Sequence, residues 1–357
     1  MKKSKILLGL GIACTLTISS FEVSYAQEVT KKSEQQIVEE KKQAFTDTTY
    51  DSFTLGQAED ILFDYLKRNN FSYEMGSKEL RDYLFDQLMY EKDENLKTEK
   101  HYRLILAYAA NYISENEGKE LLNENQQSLL HSSGTFNMDH LANKTLKQIK
   151  NENEAIQTEK KVNQKSNGIQ YAVPPEGGFN VNTAVSYAAR HAGSTSNVTY
   201  GYYGNGGDGG DCTNYVSQII QAGGKSINRP STINMYTPNT SDNISHWYNG
   251  VFVTIPTGYS QRKVTTSWIR VTDFYKYWTK RLTYFDTFSE NSVWKGSAAG
   301  DVVQYKETSS GTMWHTVFVI KKTPDGPRIA QHSPGKFDTP IVLPVTSSYS
   351  VLKFSQS

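Results

Sequence analysis

Between Lys144 and Asn167 the chain is dominated by Lys, Glu, Gln and Asn, which make up 16 of the 24 residues, and the sequence on either side of this run differs in kind. Such a run suits a solvated helix or a flexible linker, because it holds too few apolar side chains to build a core. Residues 27–170 carry 25 acidic and 19 basic side chains, a net of −6, whereas residues 171–357 carry 11 and 16, a net of +5. The overall charge of +1 conceals this division, and it argues against a dedicated nucleic-acid binder, which shows a strong basic excess. With 357 residues, of which 37% are hydrophobic, the chain has material for two or three domains and is not expected to be disordered.

Before the polar run the periodicity is helical. Thr54 and Gln57 fit a capping box ahead of Ala58 to Lys67. Leu80, Leu84 and Leu88 recur every four residues on one side of a second helix, and Tyr102, Ile105, Ala109, Tyr112 and Ile113 form the apolar face of a third. These stripes carry no cluster of catalytic groups, so residues 27–143 read as an all-α domain burying them, followed by a charged linker at 144–170.

From residue 171 the texture changes. Helical signals at Asn182–His191, Cys212–Ala222 and Trp268–Trp278 give way to β-like runs at Asp301–Tyr305, His315–Lys321, Arg328–His332 and Tyr349–Phe354. Helices followed by a block of strands predict an α+β domain over residues 171–357, with an antiparallel sheet packed on helices.

The amino terminus reads as an export signal. Lys2, Lys3 and Lys5 precede an apolar stretch from Ile6 to Ile18, and Ser24-Tyr25-Ala26 offers small residues at a cleavage site. The stretch is too short for a comfortable membrane span, so a secreted or wall-associated protein without a stable span is expected. The sequence has two cysteines, and Cys14 lies within this signal. Its removal leaves one thiol, Cys212, which implies intermolecular pairing or a reactive group.

Cys212 follows a glycine-rich run, Gly204 to Asp211, and opens a helix whose apolar residues Tyr215, Val216, Ile219 and Ile220 do not need it for packing. Asp211 is a suitable N-cap, and Gly223-Gly224 supply a stop. A thiol at a helix N-terminus is drawn toward the thiolate, the nucleophilic form. The Asp211 carboxylate opposes that tendency, so an imidazolium nearby is needed.

A cysteine nucleophile also requires a base and a group to orient it. His315 begins one predicted strand and His332 ends the next, so antiparallel pairing brings them side by side, with His315 as base and His332 as orienter. Asp338 is the reserve for the orienting role. His191 and His246 rank lower, and His101, His131 and His140 read as surface or packing residues of the helical half.

Asp211-Cys212-Thr213-Asn214-Tyr215-Val216-Ser217-Gln218, followed by Ala222-Gly223-Gly224, resembles the signature of the putative amidase domain family of Gram-positive exported proteins. Ala184 to Ala188, Ser267-Trp268 and Gly300 to Tyr305 are also similar, so the resemblance covers about residues 178–350. It implies a papain-like cysteine hydrolase, related in plan to NlpC-type and CHAP-type cell-wall enzymes. It further implies Cys212 as nucleophile, His315 as base and His332 as third group. Tyr215 stands where Phe is commoner in that family.

No cofactor is expected. Zinc held by Cys212, His315 and His332 is disfavoured, because the sequence lacks a second nearby Cys, a close His pair or a His-Glu helix motif. Family analogy and export make peptidoglycan peptides the expected substrate, ahead of a protein or peptide outside the wall. A non-catalytic module binding cell wall or host surface is the alternative. The helical half is expected to bind a partner, dock on the wall or mask the cleft as a removable pro-region.

Overall fold

The computed structural model describes residues 32–116, 138–166, 178–194, 199–203 and 211–357. The expected signal at 1–26 and the glycine run at 204–210 lie outside the described residues. Residues 34–357 form one compact unit.

The helical half contributes α1 (Glu34–Thr46), α2 (Leu55–Arg68), α3 (Lys78–Tyr90), α4 (Glu94–Lys97), α5 (Tyr102–Asn116), α6 (Asp139–Ala142) and α7 (Leu146–Ser166). The capping box forms: Gln57 N donates to Thr54 Oγ1, and Thr54 N donates to Gln57 Oε1. Leu80, Leu84 and Leu88 are fully buried, as are Ala109 and Tyr112. The polar run is a helix, α7, whose first turn buries Leu146 and Ile149. Its Asn153 donates to Ser310 O at 3.0 Å.

The second half continues with α8 (Val181–His191), α9 (Cys212–Ala222), β1 (Thr240–Ser241), β2 (Val251–Thr254), β3 (Ser260–Thr265), α10 (Thr266–Ile269), α11 (Val271–Trp278), β4 (Tyr284–Thr287) and α12 (Glu290–Gly296). The remaining strands are β5 (Val302–Glu307), β6 (Met313–Thr323), β7 (Gly326–Gln331), β8 (Lys336–Pro340) and β9 (Ser347–Leu352). Together with β4 they form a six-stranded sheet, antiparallel throughout, in the order β4-β9-β5-β6-β7-β8. A smaller sheet has the order β1-β3-β2. The fold is therefore mixed α+β. The helix predicted over Trp268–Trp278 breaks at Arg270, which is extended at φ −113° and ψ 135° and separates α10 from α11. The small sheet, β4 and β8 are short and partly exposed, and they are not among the strands predicted from sequence, although β2 carries the run Val251-Phe252-Val253.

Both faces of the large sheet are covered. Val303, Tyr305, Trp314, Val317, Val319, Tyr349 and Val351 share one core with Leu62, Leu66, Leu84, Leu88 and Ile105 of the helical half. Val302, Phe318, Ile320, Ala330 and Leu352 share a second core with Cys212, Tyr215, Val216, Ile219 and Ile220 of α9. Polar links join the helices to the sheet: Thr346 Oγ1 donates to Leu88 O at 3.2 Å, and Lys41 Nζ donates to the Tyr349 hydroxyl at 3.0 Å. Burial pushes the Lys41 ammonium down to about 8. The stripes read as the interior of a separate bundle thus close against the sheet as well.

Candidate active site

Cys212 is the first residue of α9 and is a buried thiol, 1% exposed. The helix starts and stops where the sequence indicated. At its end, Gly224 takes φ +110°, and Gly223 packs so closely on Phe179 that a Cβ would lie 2.3 Å from that ring. Cys212 Sγ lies 3.7 Å from Thr213 Oγ1, which in turn meets Thr316 Oγ1 of β6 at 3.1 Å.

Asp211 occupies the N-cap position, but its side chain makes no capping bond. Its carboxylate has other partners. Oδ1 accepts from Tyr203 N at 3.0 Å and from Asn214 Nδ2 at 2.8 Å, and Oδ2 lies 2.7 Å from His332 Nδ1. The Asp211 charge, which opposes a thiolate at Cys212, is thus engaged with these partners, and the Asp211 side chain does not cap α9.

His332 is 6% exposed and lies parallel to the Tyr215 ring at 3.8 Å between centroids. Its Nε2 donates to His191 O at 3.0 Å. Both ring nitrogens thus face acceptors, a carboxylate and a carbonyl. The ring is therefore held by hydrogen bonds at both ends. Tyr215, on which the His332 ring stacks, is three residues beyond Cys212 on α9.

The structure does not bring His315 to Cys212. Thr316, Phe318 and Ile320 of β6 meet the α9 side, and side chains alternate along a strand, so His315, Val317 and Val319 face the helical half. The His315 ring meets the edge of Phe85 of α3 at 5.4 Å, and it also contacts Tyr305 and Trp314. Nε2 reaches Gln331 Oε1 at 3.4 Å. Complete burial pushes the imidazole down to about 4, and Lys336 adds to that shift, so the ring is neutral at physiological pH. The expectation that His315 stands beside His332 fails for a definite reason: Gln331, one residue earlier on β7, takes the place next to His315.

The reserve orienter, Asp338, is not at the site. It pairs with Lys321 and Arg328 at the β8 edge, and these cations hold its carboxyl below the ordinary range. His191, ranked low from sequence, is part of the site through its backbone carbonyl. Its ring stacks on Tyr187 at 4.2 Å, and burial holds it below the usual imidazole value, with Arg190 and His332 contributing. A small recess of about 10 Å³ lies here, lined by His191, Ser194, Gly201, Tyr202, Asp211, Gln218 and His332. Asp211 as a partner for His332 was missed in the sequence; the signal available was a carboxylate adjoining the candidate nucleophile, which local reasoning assigned to the helix cap. Among the described residues, no three His, Cys, Asp or Glu side chains cluster as a metal site.

Residues 178–354 match the model of a family described as "Putative amidase domain". This half of the chain is thus similar to an amidase-domain family, and the match points to a hydrolase acting on amides. No curated protein and no solved structure gives a match. No helix among the described residues is long and apolar enough to cross a membrane.

Proposed function

We propose that this protein is an exported cysteine hydrolase that cleaves amide bonds of peptidoglycan peptides, with Cys212 as nucleophile and His332 as the acid–base group. The observation that carries the reading is the buried Asp211–His332 pair, whose carboxylate belongs to the residue that precedes a thiol at a helix start. The start of α9 favours negative charge on Cys212 Sγ, while His332 holds the proton. The thiolate attacks the amide carbonyl, and the N–H groups at the helix start stabilise the developing oxyanion. The His332 Nε2–H bond to the His191 carbonyl opens, and the proton passes to the departing amine as the C–N bond breaks. The neutral ring then takes a proton from water, whose oxygen attacks the thioester and releases the acid and the Cys212 thiolate. His315, expected as the base, faces the helices, so that role passes to His332.

The peptidoglycan substrate rests on the expected export signal and on analogy with the amidase domain family. A protease acting on other extracellular proteins would use the same steps. The test is mass spectrometry of purified peptidoglycan digested by wild type, Cys212→Ala, His332→Ala and His315→Gln. New amine-terminated fragments with wild type and with His315→Gln, but with neither of the other two, are expected. Identical profiles for wild type and Cys212→Ala would leave a binding module as the better reading. A folded His332→Ala that retains activity would return the base to His315.

A further inference from the structure

Asn214 lies within the signature run, yet the chemistry above gives it no task. It is fully buried, and its side-chain amide is saturated with partners from four separate segments. Oδ1 accepts from Trp268 Nε1 at 2.9 Å and from Asn249 Nδ2 at 3.3 Å. Nδ2 donates to Asp211 Oδ1 at 2.8 Å and to Gly201 O at 3.1 Å. An indole N–H can only donate, so Trp268 fixes which end of the amide is the oxygen, and the NH₂ must point at Asp211.

We propose that Asn214 is a positioning residue that acts through Asp211 to hold the His332 ring in its working orientation. The proposal rests on the reading of His332 as the acid–base group. The donors run in one direction, from Trp268 through Asn214 to Asp211, and the carboxylate is left with one oxygen for His332 Nδ1. Three further contacts reach this line: Tyr203 N on Asp211, the Tyr215 ring against His332, and the His191 carbonyl at Nε2. The charged or titratable groups facing the imidazole are Asp211 from the start of α9, Tyr215 from within it and His191 from α8. Asp211 Oδ1 is held by two donors, Tyr203 N at 3.0 Å and the Asn214 amide at 2.8 Å, and of these only Asn214 is a side chain. In a buried network of this kind the orientation of one group fixes the next, because an unmatched donor or acceptor is costly.

Asn214→Asp preserves shape and the acceptor for Trp268, but it replaces the donor to Asp211 by an oxygen. It is expected to lower kcat on peptidoglycan by roughly 10- to 100-fold, the range for losing a hydrogen bond to a charged group. KM should stay unchanged, and the pH profile of kcat should shift. Trp268→Phe keeps the amide but frees it to turn, and it should give a smaller loss of the same kind. A readout independent of turnover is the ¹⁵N spectrum of histidine-labelled protein, with the His332 signals identified from His332→Asn. Those ring signals should move in Asn214→Asp, while the His315 signals stay in place. A folded Asn214→Asp with wild-type kcat, pH profile and His332 signals would overturn the proposal. If wild type cleaves nothing, the proposed chemistry fails, whereas the His332 signals still decide whether Asn214 orients the ring.

Discussion

The two faces of the large sheet are equally dry and chemically unequal. On the helical face, His315 sits among Phe85, Tyr305 and Trp314, a neutral imidazole in aromatic surroundings with one long contact to Gln331. On the α9 face, His332 bonds through both ring nitrogens and pairs with a carboxylate beside a thiol. Burial alone therefore says little about a histidine. What separates a structural imidazole from a candidate acid–base group is whether its neighbours supply charge and hydrogen-bond acceptors.

The comparison also bears on what the helical half is for. Its apolar stripes and the sheet's Val303, Tyr305, Trp314, Val317 and Val351 form one core. Deleting residues 34–166 should therefore leave that sheet face open to water and give an aggregated product. A soluble 178–357 fragment with a cooperative thermal transition would break the comparison and restore the removable pro-region. On a smaller scale, Trp314→Ala should cost about 3–5 kcal/mol, because it empties a site packed against Phe85 and Tyr305 and leaves Ser347 Oγ without its indole partner at 3.2 Å. Denaturant unfolding of the full chain measures this, and a cost below about 1 kcal/mol would mean that the helices cover the sheet without packing on it.

The pH dependence sharpens the contrast further. The folded-state value of His315, about 4, lies below the ordinary 6.5, so the unfolded chain binds the proton more readily. Stability from this group is intact above pH 6.5 and drains away as the pH falls toward 4, by roughly 3 kcal/mol in all. His315→Gln should flatten that part of the acid-unfolding curve; an unchanged curve would show that His315 is not held neutral. The smallest expected effect is local to the helical half. Thr54→Ala removes one side of the capping box and should cost about 1 kcal/mol without altering activity, as thermal melts and peptidoglycan assays would show.

Much of the fold was legible because it rests on local rules. The stripes of α2, α3 and α5, the Thr54 capping box and the glycine stop after α9 follow from periodicity and backbone preference. The runs of β5, β6, β7 and β9 show as strands for the same reason. The face on which each side chain of β6 lies was not legible. Every residue from Met313 to Ile320 is buried, so the strand offers no polar alternation to distinguish its two sides.

The sequence by itself determined that Cys212 opens a helix after a glycine run, that strands carrying His315 and His332 follow, and that the fold is α+β. Tertiary structure alone decided which histidine shares a face with the thiol. It also decided that Asp211 abandons its helix cap for His332, and that the helical half supplies one side of the sheet's core. Those outcomes depend on groups more than a hundred residues apart, such as the 121-residue separation of Asp211 and His332. A strand covered on both sides leaves no trace in its own composition of which neighbour it will meet.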